Sequence, residues 1–268
     1  MNRKYNKTIA KKSLGQHFLN NELILSDIVE SACINPNDTI WEIGPGTGNL
    51  TNYIIKKGVK PYCFEVDKDL WDMLKNKFGN KINLVEKDIL KVNWQSYFTK
   101  DKIKIVANLP YQITSPFLFL VIDYFEHFEQ LVLMIQKEVA LRLASTPNKK
   151  DYGVLSLKLQ YYFDCEILFD VTPEHFTPPP KVFSSVIRLK PRTNKPKIDN
   201  LDLFWNIIEI AFLNRRKMLR NNLKSFKYSV DYEQVCVNAP IDFSRRGETL
   251  SEIDFINLYN YLQPLIIR

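Results

Sequence analysis

From Thr39 onward, short apolar runs alternate with stretches of helical period. Thr39-Ile40-Trp41-Glu42-Ile43, Tyr62-Cys63-Phe64, Ile82 to Val85, Lys102 to Val106 and Leu131 to Ile135 are short and rich in β-branched or aromatic residues. Each is expected as a strand. Leu23 to Ala32, Leu50 to Lys57 and Lys137 to Ala144 read as helices. Leu155 to Phe163 alternates poorly for a strand and is expected as another helix, with Glu166 to Phe169 and Val182 to Leu189 as a closing pair of strands. Lys190 to Asn200 is polar, carries Pro191 and Pro196, and has the composition of a linker. Beyond it the pattern turns helical. Phe204, Ile207, Ile208, Ala211 and Phe212 fall on one apolar face, and Leu250 to Leu262 supplies a last amphipathic helix. The expectation is an α/β domain over residues 1–192 and a small all-helical domain over 199–268.

The chemistry sits where the strands end. Ile43 runs into Gly44-Pro45-Gly46-Thr47-Gly48 and then a helix, the opening of a nucleotide-binding α/β unit. Glycines there let the backbone approach a ligand closely and leave helix N–H groups facing it. The spacing is G-x-G-x-G, not the G-x-G-x-x-G of dinucleotide dehydrogenases. The second strand ends in Glu65-Val66-Asp67, where a carboxylate can accept both hydroxyls of a ribose. The third ends in Glu86-Lys87-Asp88, where Asp88 can accept from the amino group of a bound adenine. Either acid could instead be a surface charge. The fourth runs into Asn108-Leu109-Pro110-Tyr111. Pro110 has no N–H and ends strand pairing, leaving Asn108 and Tyr111 at the rim of the sheet. A carboxamide that accepts beside a ring that stacks suits a planar base with an exocyclic amino group. The alternative is an ordinary turn with Tyr111 in the core. Phe176 precedes Thr177-Pro178-Pro179-Pro180-Lys181, a stiff extended segment. It is read as the second face of a base-stacking clamp, with a core plug as the other reading.

Charge adds a partner. The net charge is +7, and the basic residues are clustered. Arg3, Lys4, Lys7, Lys11 and Lys12 form one acid-free run, and Arg215, Arg216, Lys217, Arg220, Lys224 and Lys227 another, a distribution that favours nucleic acid over a solvated face. Cys33, Cys63, Cys165 and Cys236 are far apart with no C-x-x-C pair, which argues against structural zinc and fits a reducing compartment. No secretory h-region is visible, and the longest apolar run, Phe117 to Ile122, is far too short to span a bilayer. A soluble cytoplasmic protein is expected.

Ser13-Leu14-Gly15-Gln16-His17-Phe18-Leu19, Glu42 to Gly48, Asn108 to Tyr111, Phe176 to Val182 and Asn214 to Arg220 together give the chain a family likeness. It resembles the ribosomal RNA adenine dimethyltransferases that act on small-subunit rRNA, over nearly its whole length. The resemblance implies a Rossmann-like, S-adenosylmethionine-dependent methyltransferase sheet of seven strands, the last antiparallel, with a small helical C-terminal domain. It implies dimethylation at N6 of two adjacent adenosines in the 3′-terminal hairpin loop of small-subunit (16S) rRNA. The substrate is expected to be rRNA within a pre-assembled small ribosomal subunit, the enzyme a monomer, with no membrane and no metal involved. His17, Leu19, Gly44, Gly46, Glu65, Asp88 and Asn108 become candidate cofactor contacts. Asn108, Leu109, Pro110, Tyr111 and Phe176 become candidate catalytic residues, and Arg215, Arg216, Lys217, Arg220 and Lys224 candidate RNA contacts. On local grounds His17 is a solvent-facing loop histidine. Family members often carry Asn there, a change that a backbone contact survives and a side-chain contact does not. Relatives of the macrolide-resistance type, which methylate large-subunit rRNA, usually read Asn-Ile-Pro-Phe or Asn-Ile-Pro-Tyr. Leu109 and the Pro-Pro-Pro-Lys segment favour the small-subunit branch. Other readings are that large-subunit activity, a non-catalytic RNA- or transcription-associated binder on the same fold, and a nicotinamide dehydrogenase.

Overall fold

The computed structural model describes residues 10–225 and 239–265. Arg3, Lys4, Lys7, Lys227 and Cys236 lie outside the described residues. The chain divides into two compact units, Met1–Ala140 with Phe163–Pro191, and Leu141–Tyr162 with Arg192–Arg268.

In the first unit, β1 (Phe18–Leu19) pairs antiparallel with β8 (Phe176–Thr177). The remaining strands are β2 (Thr39–Ile43), β3 (Tyr62–Phe64), β4 (Asn83–Val85), β5 (Ile103–Asn108), β6 (Phe128–Gln136), β7 (Phe163–Val171) and β9 (Ser184–Pro191). They form one sheet in the order β4-β3-β2-β5-β6-β9-β7. Neighbours from β4 through β6 are parallel, and β9 is antiparallel to both β6 and β7, the expected antiparallel last strand. Parallel strands buried on both faces read as continuous apolar runs, and β5 and β6 do. Lys104 breaks that run in β5. Its ammonium is buried but reaches Asp38 at 2.6 Å and the Cys33 carbonyl at 2.9 Å. Burial alone would lower its pKa, and the ion pairs with Asp38 and Glu129 raise it instead.

Helix α1 (Glu22–Ser31) and helix α2 (Asn49–Ile55) pack Leu25, Ile28, Leu50 and Ile54 into a core with Leu19, Val106 and Phe176. Helix α3 (Lys68–Phe78) buries Leu70, Leu74 and Phe78, spaced four apart, in a second core with Cys63 and Ile82. Gly48, the residue before α2, sits at φ 75°, and a Cβ there would lie 2.3 Å from the Phe78 ring. The glycine turn is thus pressed onto the second core.

Helix α4 (Thr114–Asp123) follows the Asn-Leu-Pro-Tyr stretch, and α5 (Lys137–Leu143) follows β6. The second unit holds α6 (Val154–Tyr162), α7 (Leu201–Phe212), α8 (Leu219–Leu223) and a last helix, Glu252–Leu262. Phe204, Ile207, Ile208 and Ala211 of α7 are buried, as the periodicity predicts, and Trp205 joins them edge-on to Tyr161 at 5.4 Å. This division differs from the expected domains 1–192 and 199–268 by residues 141–162. Tyr152 donates its hydroxyl to the Leu250 carbonyl at 2.8 Å, and Tyr161 to the Pro196 carbonyl at 2.6 Å. Those long-range bonds draw α6 into the helical unit. The expected linker is anchored at its start, where Arg192 reaches the Gln160 carbonyl at 2.8 Å and Glu252 at 3.0 Å. Among the described residues no helix is long and apolar enough to cross a membrane.

Gly48→Ala should destabilise the protein by about 2–4 kcal/mol, combining left-handed backbone strain with overpacking against Phe78. Denaturant unfolding measures it, and a change within about 0.5 kcal/mol, the range of an ordinary surface substitution, would contradict this packing.

Candidate active site

The parallel register aligns the strand ends. Ile43 lies opposite Phe64 and Phe64 opposite Val85, so Gly44 and Glu65 come one row further, while Glu42 opposes Val106 and Asn108 closes β5. Strand order reverses about β2, and ligands of α/β sheets bind at the carboxyl ends of strands at such a point. A cavity of about 180 Å3 opens there. That is room for several waters, since one needs about 10–15 Å3 of such space. His17, Leu19, Gly44, Gly46, Glu65, Asp88, Asn108, Leu109, Pro110 and Tyr111 all line it. Residues as far apart in the chain as His17 and Tyr111 thus line one cavity.

Phe176 does not line it. Its side chain is 3% exposed and packs in the first core with Leu19 and Leu25. In the two-residue strand β8 Thr177 faces outward and Phe176 inward, so the ring is the core plug and the expected clamp is not formed in this structure.

Glu65 is 5% exposed. One carboxylate oxygen accepts from Gly46 N at 3.0 Å, and the other from Val66 N and Asp67 N at 2.9 Å each. Burial pushes its pKa up and these backbone bonds oppose the rise. The Gly46 N–H is therefore committed to Glu65 and not to a ligand. Three of the carboxylate's roughly four lone-pair sites are thus taken, and the one left is on the oxygen that binds Gly46 N. Asp88 accepts from Leu90 N at 3.0 Å, which fixes its carboxylate at the tip of β4. Gly46 has φ 58°, and a Cβ on it would lie 3.0 Å from the Phe18 ring. A side chain there would press on the Phe18 ring and strain the left-handed turn.

Asn108 gives its side-chain NH2 to the His17 carbonyl at 3.1 Å. A carbonyl accepts only, so this bond settles which way the amide points. The backbone of His17 does this work, as the frequent Asn at that position in the family requires of any contact that survives. The His17 ring has its own partners. Nδ1 lies 2.7 Å from the Pro178 carbonyl, and the ring stacks on Tyr111 at 5.7 Å and 29°. Tyr111 shares a 2.7 Å hydrogen bond with Ser184, and burial raises its pKa, so the phenol stays neutral.

Some residues were missed by sequence reasoning. Lys11 Nζ reaches Asp67 at 2.5 Å and Asp69 at 2.7 Å, and Gln16 donates to Asp67 at 2.7 Å while accepting from Lys11 N at 2.8 Å. Although burial alone would raise the Asp67 pKa, these contacts with Lys11 and Gln16 lower it. They clamp the Ser-Leu-Gly-Gln-His segment to the tip of β3. Ser184 gave no local signal. Of the candidate RNA contacts, Arg216, Lys217, Arg220 and Lys224 are exposed around the turn after α7 and on α8, whereas Arg215 is drawn onto Glu248 at 2.9 Å.

A doubly wound sheet with a glycine turn, strand-tip acids and an Asn-Leu-Pro-Tyr rim defines a Rossmann-type methyltransferase that uses S-adenosylmethionine. The model of the family "Ribosomal RNA adenine dimethylase" matches residues 7–263, and the chain belongs to that family. It is 41% identical to a ribosomal RNA small subunit methyltransferase A of Francisella tularensis subsp. novicida, covering 96% of this chain and 98% of that one. Identity to the protein of the same name from Clostridium botulinum is also 41%, over 95% and 94%. A dimethyladenosine transferase from Plasmodium falciparum superposes with a TM-score of 0.78 at 28% identity, over 92% and 98%. The 23S rRNA methyltransferase ErmE shares the fold, with a TM-score of 0.70 at 23% identity over 92% and 99%.

Glu42, also on the cavity, is 1% exposed, and the Cys63 thiol lies 3.6 Å from its carboxylate. Burial pushes Glu42 from its ordinary 4.5 up to about 7. Between those values the folded protein holds a proton that the unfolded chain has released, so stability falls as pH rises through this window and is flat above it. The full span is about 3 kcal/mol. Glu42→Gln, neutral and of the same shape, should remove this slope. Denaturant unfolding between about pH 5 and pH 8 should show the wild type losing about 2–3 kcal/mol relative to the variant, and parallel pH profiles would contradict a buried, protonated Glu42.

Proposed function

We propose that this protein dimethylates N6 of two adjacent adenosines in the 3′-terminal hairpin loop of small-subunit rRNA, acting as a cytoplasmic monomer on a pre-assembled small subunit. The observation that carries the reading is the Asn108 carboxamide. One N–H of its NH2 goes to the His17 carbonyl, which fixes the amide and leaves the carbonyl oxygen to accept from a base beside the Tyr111 ring. Such an acceptor beside a stacking surface suits an adenine amino group presented edge-on.

The cavity fits S-adenosylmethionine. Glu65 keeps one acceptor site for a ribose hydroxyl, Asp88 offers an acceptor for the adenine amino group, and both line the cavity with the glycine turn. When bound, S-adenosylmethionine supplies a methyl group on a positively charged sulfur, which leaves as a neutral thioether. The chain has to make the target nitrogen nucleophilic, because the lone pair of an adenine amino group is delocalised into the ring. In the first transfer Asn108 Oδ1 accepts one amino hydrogen and a backbone carbonyl a second; one proton is then lost to solvent, and in the second transfer the single remaining N–H has one of these acceptors. Pro110's carbonyl already takes the Ile113 N–H at 3.0 Å, which favours that of Leu109. Both bonds strengthen as the nitrogen becomes pyramidal, so they stabilise the transition state more than the ground state. Tyr111, its tilt set by Ser184 and one face backed by His17, stacks on the extruded base and offsets part of the unstacking cost. Arg216, Lys217, Arg220 and Lys224 supply phosphate contacts.

Leu109, the Pro178-Pro179-Pro180-Lys181 segment and the small-subunit names of relatives at 41% identity support this branch over the large-subunit one. Glu65, Asp88 and Asn108 meeting on one cavity speaks against a non-catalytic binder. Methyl-labelled S-adenosylmethionine and small subunits lacking these modifications, incubated with the protein, should give label in two adjacent N6,N6-dimethyladenosines of the 3′-terminal hairpin. Label confined to large-subunit RNA, or no transfer despite cofactor binding, would overturn the reading.

A further inference from the structure

At the start of β9 the usual polarity of a strand is inverted. Ser184 and Ser185 are fully buried, whereas the two residues before them, Val182 and Phe183, are 43% and 49% exposed. Each buried serine has a defined task. Ser184 shares its hydroxyl with Tyr111, and Ser185 donates to Asp170 at 2.6 Å. The outward Val182-Phe183 pair has none inside the protein. It is nevertheless held in place. The Phe183 carbonyl accepts from Lys137 N at 2.9 Å, and the Lys137 ammonium lies 5.8 Å from the centre of the Phe183 ring while pairing with Asp170 at 2.5 Å. A single exposed apolar residue needs no explanation. An aromatic ring backed on one side by an ammonium, half open, and one residue from the partner of Tyr111 does.

We propose that Phe183, with Val182 beside it, is a stacking platform for a nucleotide flanking the target adenosine, so that the rRNA loop is held next to the extruded base as well as at it. The inference rests on the functional reading above. Stacking on an exposed ring suits a single-stranded loop, because every base has a π face and a loop nucleotide is not held in a duplex stack. Lys181, exposed next to Val182, places a positive charge where the backbone phosphate of such a nucleotide would run. The chemistry required of the occupant is thus an unpaired nucleotide next to an extruded purine. A protein partner would be expected to bury the ring without any need for Lys181.

The test uses the full chain with small subunits lacking the modification, and measures KM for subunits, kcat and S-adenosylmethionine affinity for Phe183→Ala, Phe183→Trp and Lys181→Ala. Phe183→Ala should raise KM for subunits by roughly tenfold or more, within the range for losing one base–aromatic stack, with kcat little affected. Phe183→Trp should restore the wild-type KM, and Lys181→Ala should reduce the salt dependence of KM. S-adenosylmethionine affinity should stay at the wild-type value in all three, which also reports an intact fold. An unchanged KM in Phe183→Ala overturns the platform, and so does equal impairment in Phe183→Ala and Phe183→Trp, or a loss confined to kcat. The functional reading fails separately, if the wild-type protein does not methylate the subunits.

Discussion

One hydrogen bond organises the reacting end of this molecule, from the Asn108 carboxamide to the backbone carbonyl of His17. It joins the last residue of the central strand β5 to a segment ninety residues earlier. A free carboxamide can present a donor or an acceptor by rotating about one bond. With one N–H given to His17 this amide cannot flip, and its oxygen stays available as an acceptor. The site can then favour a base carrying an amino group at that edge, because a carbonyl there would meet another carbonyl. The bond is only as good as the placement of His17. That placement is secured by Lys11 and Gln16 on Asp67 on one side and by β1 pairing with β8 on the other.

The same clamp ties the cofactor end to the base end. Asp67, which holds Lys11 and Gln16, also gives its backbone N–H to Glu65, the acid at the tip of β3. Lys11, Gln16, Asp67, Glu65 and Gly46 therefore form one connected set of bonds, and Gln16 directly precedes His17, the partner of Asn108. Two buried acids, Glu42 and Glu65, line the cavity, each with its pKa raised by burial. Such a cavity suits a ligand that brings hydroxyl donors, whereas the exposed arginines and lysines after α7 suit a polyanion. The two demands are met by different parts of the chain.

Much of this was legible in the sequence because it depends on residue type at strand ends. The span of β2 was read correctly, and the glycine turn, Glu65, Asp88 and the Asn-Leu-Pro-Tyr stretch all line the cavity. β5 runs two residues beyond its predicted end, because Leu109 N still finds the Met134 carbonyl before Pro110 stops the ladder. His17 was ambiguous for a physical reason. Its contribution is a carbonyl, which every residue has, so no side-chain signal marks it. Phe176 was misplaced because a two-residue strand has too few positions to show which face is buried. Helix α6 was assigned to the wrong unit because the tyrosine bonds that hold it span up to ninety-eight residues. Ser184 and the outward Phe183 are the opposite of what strand alternation leads one to expect, and only the structure gives the reason.

The central claim is that the oriented oxygen of Asn108 accepts from the target amino group in the transition state. Single-turnover methylation by Asn108→Ala at saturating S-adenosylmethionine and subunits tests it most directly, with cofactor affinity measured alongside. Loss of one such preorganised group should slow the chemical step by about a hundredfold or more, by comparison with removal of one oxyanion-hole donor. A wild-type rate under those conditions would contradict the account.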